Sequence, residues 1–175
     1  MTQVDHGAVR NHSSHAESET RIRLVLVEDH AILRDGVRAL LELESDVAIV
    51  GDFDGIESSL NGIRQLQPDV VVLDLALPNG SGIELLGEIG RLSPRSRKLV
   101  LTGSDGEKYI RAALRAGADG YVLKDASSAE LMLAIRTVSL GQRFLCKAIA
   151  SKVLLGFLSG DRQPTSPNPV SSITV

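Results

Sequence analysis

At 175 residues, 43% of them hydrophobic and 23% charged, the chain is long enough for one complete domain and too short for two. Nineteen basic against twenty-two acidic residues leave a formal charge of −3, so no global field draws it to nucleic acid or anionic lipid. The single cysteine, Cys146, excludes an internal disulfide and a Cys-rich metal site, and no apolar run reaches the ~18 residues of a membrane span or reads as a signal peptide, which together point to a reducing cytoplasm.

Residues 1–20 are polar with hardly an apolar side chain, so ordering them would cost chain entropy without burial in return, and a disordered tail is expected. His6, His12 and His15 within it are irregularly spaced and define no metal site. From Ile22 the texture changes to short apolar runs alternating with segments whose apolar residues recur three and four apart, the periods of strand and helix. Ile22–Val27 reads as a strand, Leu33, Val37, Leu40 and Leu41 as one helical face, and Val47–Val50 as a second strand. Asp54 with Glu57 has the spacing of a capping box for a helix that buries Ile56, Leu60 and Ile63 and stops at Gln67-Pro68.

Val70–Leu73, four consecutive β-formers, predicts a central strand of a parallel sheet covered on both faces. After Pro78-Asn79-Gly80, Ser81 and Glu84 form a second capping pair, with Leu85, Leu86, Ile89 and Leu92 turned inward. A strand at Leu99–Leu101, a helix near Glu107–Ala116, turns at Gly117 and Gly120, a strand at Tyr121–Leu123 and a helix from Ser127 complete five βα units. The expectation is a three-layer, doubly wound α/β domain with an open, five-stranded parallel sheet over residues 21–141. Residues 142–160 read as a linker or accessory segment whose Ala148–Leu158 forms a short amphipathic helix, and 161–175 as a flexible Pro/Ser-rich end.

In such a sheet, function belongs at the carboxyl ends of the strands, where strand order reverses. Glu28 and Asp29 follow the first strand, Asp74 the third, Thr102 the fourth and Lys124 the fifth. Three carboxylates together repel unless a cation sits among them, and Mg²⁺, which takes hard oxygens and phosphoryl groups, fits that need. Lys124 and Thr102 can each meet an oxygen of a phosphoryl group carried by Asp74. Each acid alone reads more readily as a helix cap or a solvated surface group, but a lysine at a strand end has no capping use, and the set favours phosphoryl chemistry. From the residues alone, Tyr121 is as much a half-buried sheet aromatic as a switch.

The segments VLVEDHAILRDGV, VVVLDLALPNGSGIELL, VLTGSDG and AGADGYVLKD, spread over residues 21–141, resemble the receiver domain of bacterial two-component response regulators. The likeness is to the subfamily usually joined to a LuxR/NarL-type helix-turn-helix DNA-binding domain. It implies a flavodoxin-like (CheY-like) sheet of order 2-1-3-4-5. It also implies phosphoryl transfer to Asp74 from a sensor histidine kinase in a phosphorelay, and a Mg²⁺ site made of Glu28, Asp29, Asp74 and the backbone carbonyl of Ala76. Thr102 and Lys124 match the phosphoryl-sensing pair, and Tyr121 matches the aromatic switch that turns inward when the threonine moves toward the phosphoryl group. His30 resembles the subfamily's frequent neighbour to the acidic pair. The resemblance further implies a cytoplasmic transcriptional regulator that forms a homodimer on phosphorylation, and the sequence itself is too short to include a complete DNA-binding domain.

Ala76 and Ser104 depart from the pattern, since neither side chain orients an attacking water, and slow autodephosphorylation is expected. An aspartate-dependent, Mg²⁺-requiring phosphatase would want a second acid where Ala76 stands, so an enzyme with its own substrate is disfavoured. Gly103–Lys108 is too short for a nucleotide-binding loop and lacks Ser or Thr after the lysine. A phosphorylation-independent interaction or dimerisation module is the remaining alternative.

Overall fold

A computed structural model describes residues 21–78 and 80–158, and the expected tail at 1–20, Asn79 and the expected flexible end at 161–175 lie outside the described residues. In chain order the elements are β1 (Ile22–Val27), α1 (Ala31–Glu42), β2 (Val47–Phe53), α2 (Ile56–Leu66), β3 (Val70–Leu73) and α3 (Gly82–Leu92). They continue as β4 (Arg97–Thr102), α4 (Glu107–Arg115), β5 (Gly120–Leu123), α5 (Ser128–Ser139), β6 (Phe144–Leu145) and α6 (Lys147–Leu158). All neighbouring strands are parallel, in the order β2-β1-β3-β4-β5-β6.

Side-chain alternation along the strands builds a core on each face of the sheet. Val25 and Val27 of β1 face a cluster with Ile63 of α2, Leu85, Leu86 and Ile89 of α3, and Ile110 of α4. Leu24 and Leu26 face the other way, onto Val37 and Leu41 of α1 and Leu131 and Ile135 of α5. Every residue of β3 is fully buried, as its unbroken run of β-formers predicts for a central parallel strand.

The sheet has six strands where five are expected. Gly141 turns the chain at φ +81°, and Phe144–Leu145 then lies along β5, with Phe144 N donating to Asp119 O and Cys146 N to Tyr121 O, each at 3.1 Å. Two residues carry no periodicity, so this strand exists only because the β5 edge offers free backbone partners. The Asp54–Glu57 capping box is also absent. Gly55 is the N-cap of α2 and no side chain caps it, because the helix begins one residue later than that pair requires. Ser81 and Ser127 do cap α3 and α5, accepting from Glu84 N at 3.4 Å and Glu130 N at 3.2 Å. Gly117 turns at φ +94° as expected, whereas Gly120 is the first residue of β5, where a Cβ would stand 2.7 Å from Leu99 Cδ1.

The first turn of α3 presses closely on the loop directly after Asp74. A Cβ at Gly82 would lie 2.5 Å from Leu75 Cα and 2.7 Å from Leu75 O. Backbone cannot swing aside as a side-chain tip can, so Gly82→Ala should destabilise the fold by roughly 1–3 kcal/mol. Urea denaturation measures this, and an unchanged midpoint would mean that α3 and the loop separate freely.

Candidate functional site

The parallel registers bring the strand ends level. Val27 pairs with Leu73, Leu73 with Val100, and Thr102 with Leu123, so the residues that follow β1, β3 and β5 emerge on one edge beside Thr102. Backbone bonds fix them there: Asp74 N donates to Val27 O, Glu28 N to Phe53 O and Lys124 N to Thr102 O, all at 3.0 Å. The order reverses between β1 and β3, which makes this edge the topological switch point of the sheet.

Glu28, Asp74 and Thr102 are each at most 2% exposed. Charges so placed need partners, and Lys124 supplies one to both acids. Its Nζ lies 2.6 Å from Asp74 Oδ2 and 2.9 and 3.1 Å from the two Glu28 oxygens. Asp74 Oδ1 accepts from Ala76 N at 3.1 Å. Burial pushes the Asp74 carboxyl up, but hydrogen bonds from Lys124, the Ala76 amide and Thr102 outweigh it and hold the group below its ordinary range. Lys124 mirrors this: burial disfavours its charge, and bonding to Asp74 and Glu28 raises its pKa in spite of that. Asp74 is thus a buried, ionised carboxylate, the state in which an oxygen can act as nucleophile.

Three carboxylates against one ammonium leave an excess of negative charge. Ligand atoms of Glu28, Asp29, His30 and Asp74 lie within 4.8 Å of one another. Asp29 Oδ1 is buried yet accepts no hydrogen bond, and His30 Nδ1, 3.0 Å from it, is already engaged with Glu28 Oε1 at 2.9 Å. An orphaned carboxylate oxygen in an oxygen-rich, negative cluster suits a hard divalent cation. His30 is the N-cap of α1 without capping it through its side chain. Its ring bonds Glu28 instead, and that hydrogen bond, with the Asp29 charge nearby, raises its pKa.

Tyr121 is fully buried rather than half-exposed, and its hydroxyl donates to Ser104 O at 2.7 Å in the β4–α4 loop. Ser104 N in turn lies 3.4 Å from Thr102 Oγ1. Burial, with Asp105 and Asp74 nearby, pushes the Tyr121 phenol up to about 12. In Tyr109→Phe, which leaves Tyr121 as the one tyrosine, phenolate absorbance of the folded chain should therefore emerge only near pH 12. Because a free phenol ionises near 10, stability that is intact below pH 10 should be lost as the pH climbs through 12. A folded-state titration at the ordinary tyrosine value would put the ring in solvent and contradict the geometry.

Glu28, Asp29, Asp74, Thr102 and Lys124 therefore border one edge, while Tyr121 sits within β5 and reaches the loop behind that edge through its hydroxyl. Sequence reasoning missed Arg34, whose Nη1 donates to the Glu28 carbonyl at 2.7 Å and braces the acidic loop from α1. An arginine on a helix that carries Arg38 as well offers no signal that singles it out.

The receiver domain of response regulators matches residues 24–136. The oxygen regulatory protein NreC of Staphylococcus aureus is 34% identical over 147 residues, which span 83% of this chain and 67% of NreC. The crystal structure of a LuxR-family two-component response regulator from Aurantimonas sp. SI85-9A1 is similar at a TM-score of 0.76 and 34% identity, over 79% of this chain and 99% of that one. The isolated REC domain of RcsB from Salmonella enterica serovar Typhimurium, solved with the phosphomimetic BeF₃⁻, gives 0.70 and 27% over 75% and 98%. The signal receiver domain of the putative response regulator NarL from Mycobacterium tuberculosis gives 0.67 and 30% over 70% and 98%. With a matching domain over most of its length and relatives of the LuxR/NarL kind, the chain belongs to the response regulator receiver domain family.

Proposed function

We propose that Asp74 is the phosphoryl acceptor of this receiver and that Glu28, Asp29, Asp74 and the Ala76 carbonyl hold Mg²⁺. The observation that supports this best is Asp74 itself, buried, ionised and gripped by Lys124 at 2.6 Å and the Ala76 amide at 3.1 Å. An Asp74 oxygen attacks the phosphorus of a phosphohistidine on a sensor histidine kinase, in line with the P–N bond. As that bond breaks, the electron pair leaves with the imidazole nitrogen, which is reprotonated from solvent. Mg²⁺, when bound, screens charge on the phosphoryl oxygens. Lys124 moves from the bare carboxylate to a phosphoryl oxygen, and Thr102 donates its hydroxyl to another. The acyl phosphate adds roughly one to two negative charges, which draw Thr102 to the phosphoryl group and favour the β4–α4 loop arrangement in which Tyr121 is turned inward onto Ser104.

The same reading gives the partners: a sensor histidine kinase, and a second copy of the chain after phosphorylation, with RcsB described as dimers bound to DNA among the similar structures. The protein then acts in the cytoplasm as a switch rather than an enzyme with a substrate of its own, and among the described residues no helix is long and apolar enough to cross a membrane. The switch unit spans residues 21–141, and 142–160 is an accessory segment.

Incubation with acetyl phosphate and Mg²⁺ tests the proposal by intact mass. One addition of about 80 Da, abolished by EDTA, is expected for a single phosphoryl group. Absence of any addition would remove the reading. Because Ala76 ends in a methyl group and Ser104 bears only a hydroxyl, neither holds water against the phosphorus as an amide or acid would. The label should persist for minutes after the donor is removed, and loss within seconds would refute this account of the two positions.

A further inference from the structure

Helix α6 lies beyond residue 136, where the match to the receiver family ends. It is attached in two ways. Ile149, fully buried, and Val153 pack into the cluster that contains Ile110 of α4, Tyr121 of β5 and Cys146. Three residues after Ile149, Lys152 reaches the β4–α4 loop, where its ammonium pairs with the Asp105 carboxylate and also donates to the Asp105 carbonyl at 3.0 Å. Contact with both the side chain and the main chain of one residue fixes the loop's backbone and does more than neutralise a charge.

The position it fixes matters because of its neighbours. Ser104, immediately before Asp105, accepts the Tyr121 hydroxyl through its carbonyl and sets its amide toward Thr102 Oγ1. Thr102 is near enough to Asp74 for its hydroxyl to help hold that carboxyl ionised. Gly106, immediately after, is the N-cap of α4. Polar contacts and adjoining backbone therefore run from Lys152 through Asp105 and Ser104 to Thr102, beside Asp74, and Tyr121 braces their middle.

We infer that Lys152 is a positioning residue for the phosphoryl site: by holding Asp105 it keeps the β4–α4 loop where Ser104 receives Tyr121 and Thr102 faces Asp74, so that docking of α6 and phosphoryl occupancy of Asp74 strengthen each other. The inference rests on Asp74 being the phosphoryl acceptor. Linkage makes the effect reciprocal: whatever α6 docking adds to phosphoryl affinity, phosphoryl occupancy adds to α6 docking. The effect is modest, because Lys152 and Asp105 are 40% and 60% exposed and solvent and salt screen such a pair. If Lys152 only decorated the surface, Ile149 would hold α6 regardless and the site would not register its loss.

The test uses the whole chain with Mg²⁺ and beryllofluoride as the phosphoryl mimic. Lys152→Ala should weaken beryllofluoride binding by about two- to five-fold, the range open to an exposed ion pair. Lys152→Arg should recover most of that loss. Asp105→Ala should match Lys152→Ala, and the double variant should be no worse than either single one. Beryllofluoride should slow amide exchange along α6 in the unaltered chain and not in Lys152→Ala, a readout that a purely structural lysine would leave alike in both. Equal affinity in Lys152→Ala and the unaltered chain, or additive losses in the double variant, would overturn the inference while leaving the Asp74 assignment standing. Failure of the unaltered chain to bind beryllofluoride would overturn that assignment and this inference with it.

Discussion

Asp74→Asn should abolish the phosphoryl addition and leave the fold nearly untouched. The carboxamide keeps the shape of the side chain, and its oxygen can still accept from the Ala76 amide or Lys124, which currently bond Asp74 at 3.1 and 2.6 Å. Lys124 also retains Glu28, so no buried charge is stranded. What disappears is the anionic oxygen, and an amide oxygen does not displace imidazole from phosphorus at a useful rate. The thermodynamic cost should stay near 1 kcal/mol, the scale of one altered hydrogen bond. Intact mass after acetyl phosphate reads the chemistry and urea denaturation reads the stability. Labelling that persists in the variant on the Asp74 segment would reassign the acceptor.

Lys124→Met should show the opposite balance, with a large loss of stability that Mg²⁺ largely restores. The lysine is the cation that Glu28 and Asp74 share, and both acids are almost fully buried. Breaking a buried pair from one side costs about 3–5 kcal/mol, and the partial exposure of Lys124 lowers the expectation here to about 2–4 kcal/mol without metal. A divalent cation among Glu28, Asp29 and Asp74 would replace the missing charge, so added Mg²⁺ should raise the urea midpoint of the variant more than that of the unaltered chain. Equal midpoints without metal would mean that the two acids do not depend on Lys124, contrary to the depressed Asp74 pKa.

How far the sequence discloses this molecule depends on the range of each interaction. Val70–Leu73 reads correctly as a central strand because burial on both faces leaves an unbroken apolar run, and Asp74, Glu28 and Thr102 announce themselves as polar residues where such runs stop. The Ser81 cap is equally legible, since partner and target lie three residues apart. Longer reaches are not. Nothing local shows that Lys124 already serves Glu28, 96 residues earlier, or that Lys152 meets Asp105, 47 residues earlier. The inward seat of Tyr121 depends on a carbonyl 17 residues away and on a buried cluster that includes Cys146 and Ile149 from further along the chain, so alternation alone leaves it half-exposed. The failed Asp54 cap is a local error of another kind: both residues have the right spacing, and the chain starts its helix at Ile56 instead.

The two-residue strand β6 protects the rest of the sheet. A β5 with nothing alongside it would present a row of open N–H and C=O groups, a template on which another chain can add. Phe144 and Cys146 occupy two of those groups, at Asp119 and Tyr121, so the strand that bears the buried tyrosine is closed to recruitment from outside. A shortened chain ending at Gly141 would keep every acid, the threonine and the lysine of the site, yet it would expose that rim, and self-association through β5 would then compete with signalling for the same strand.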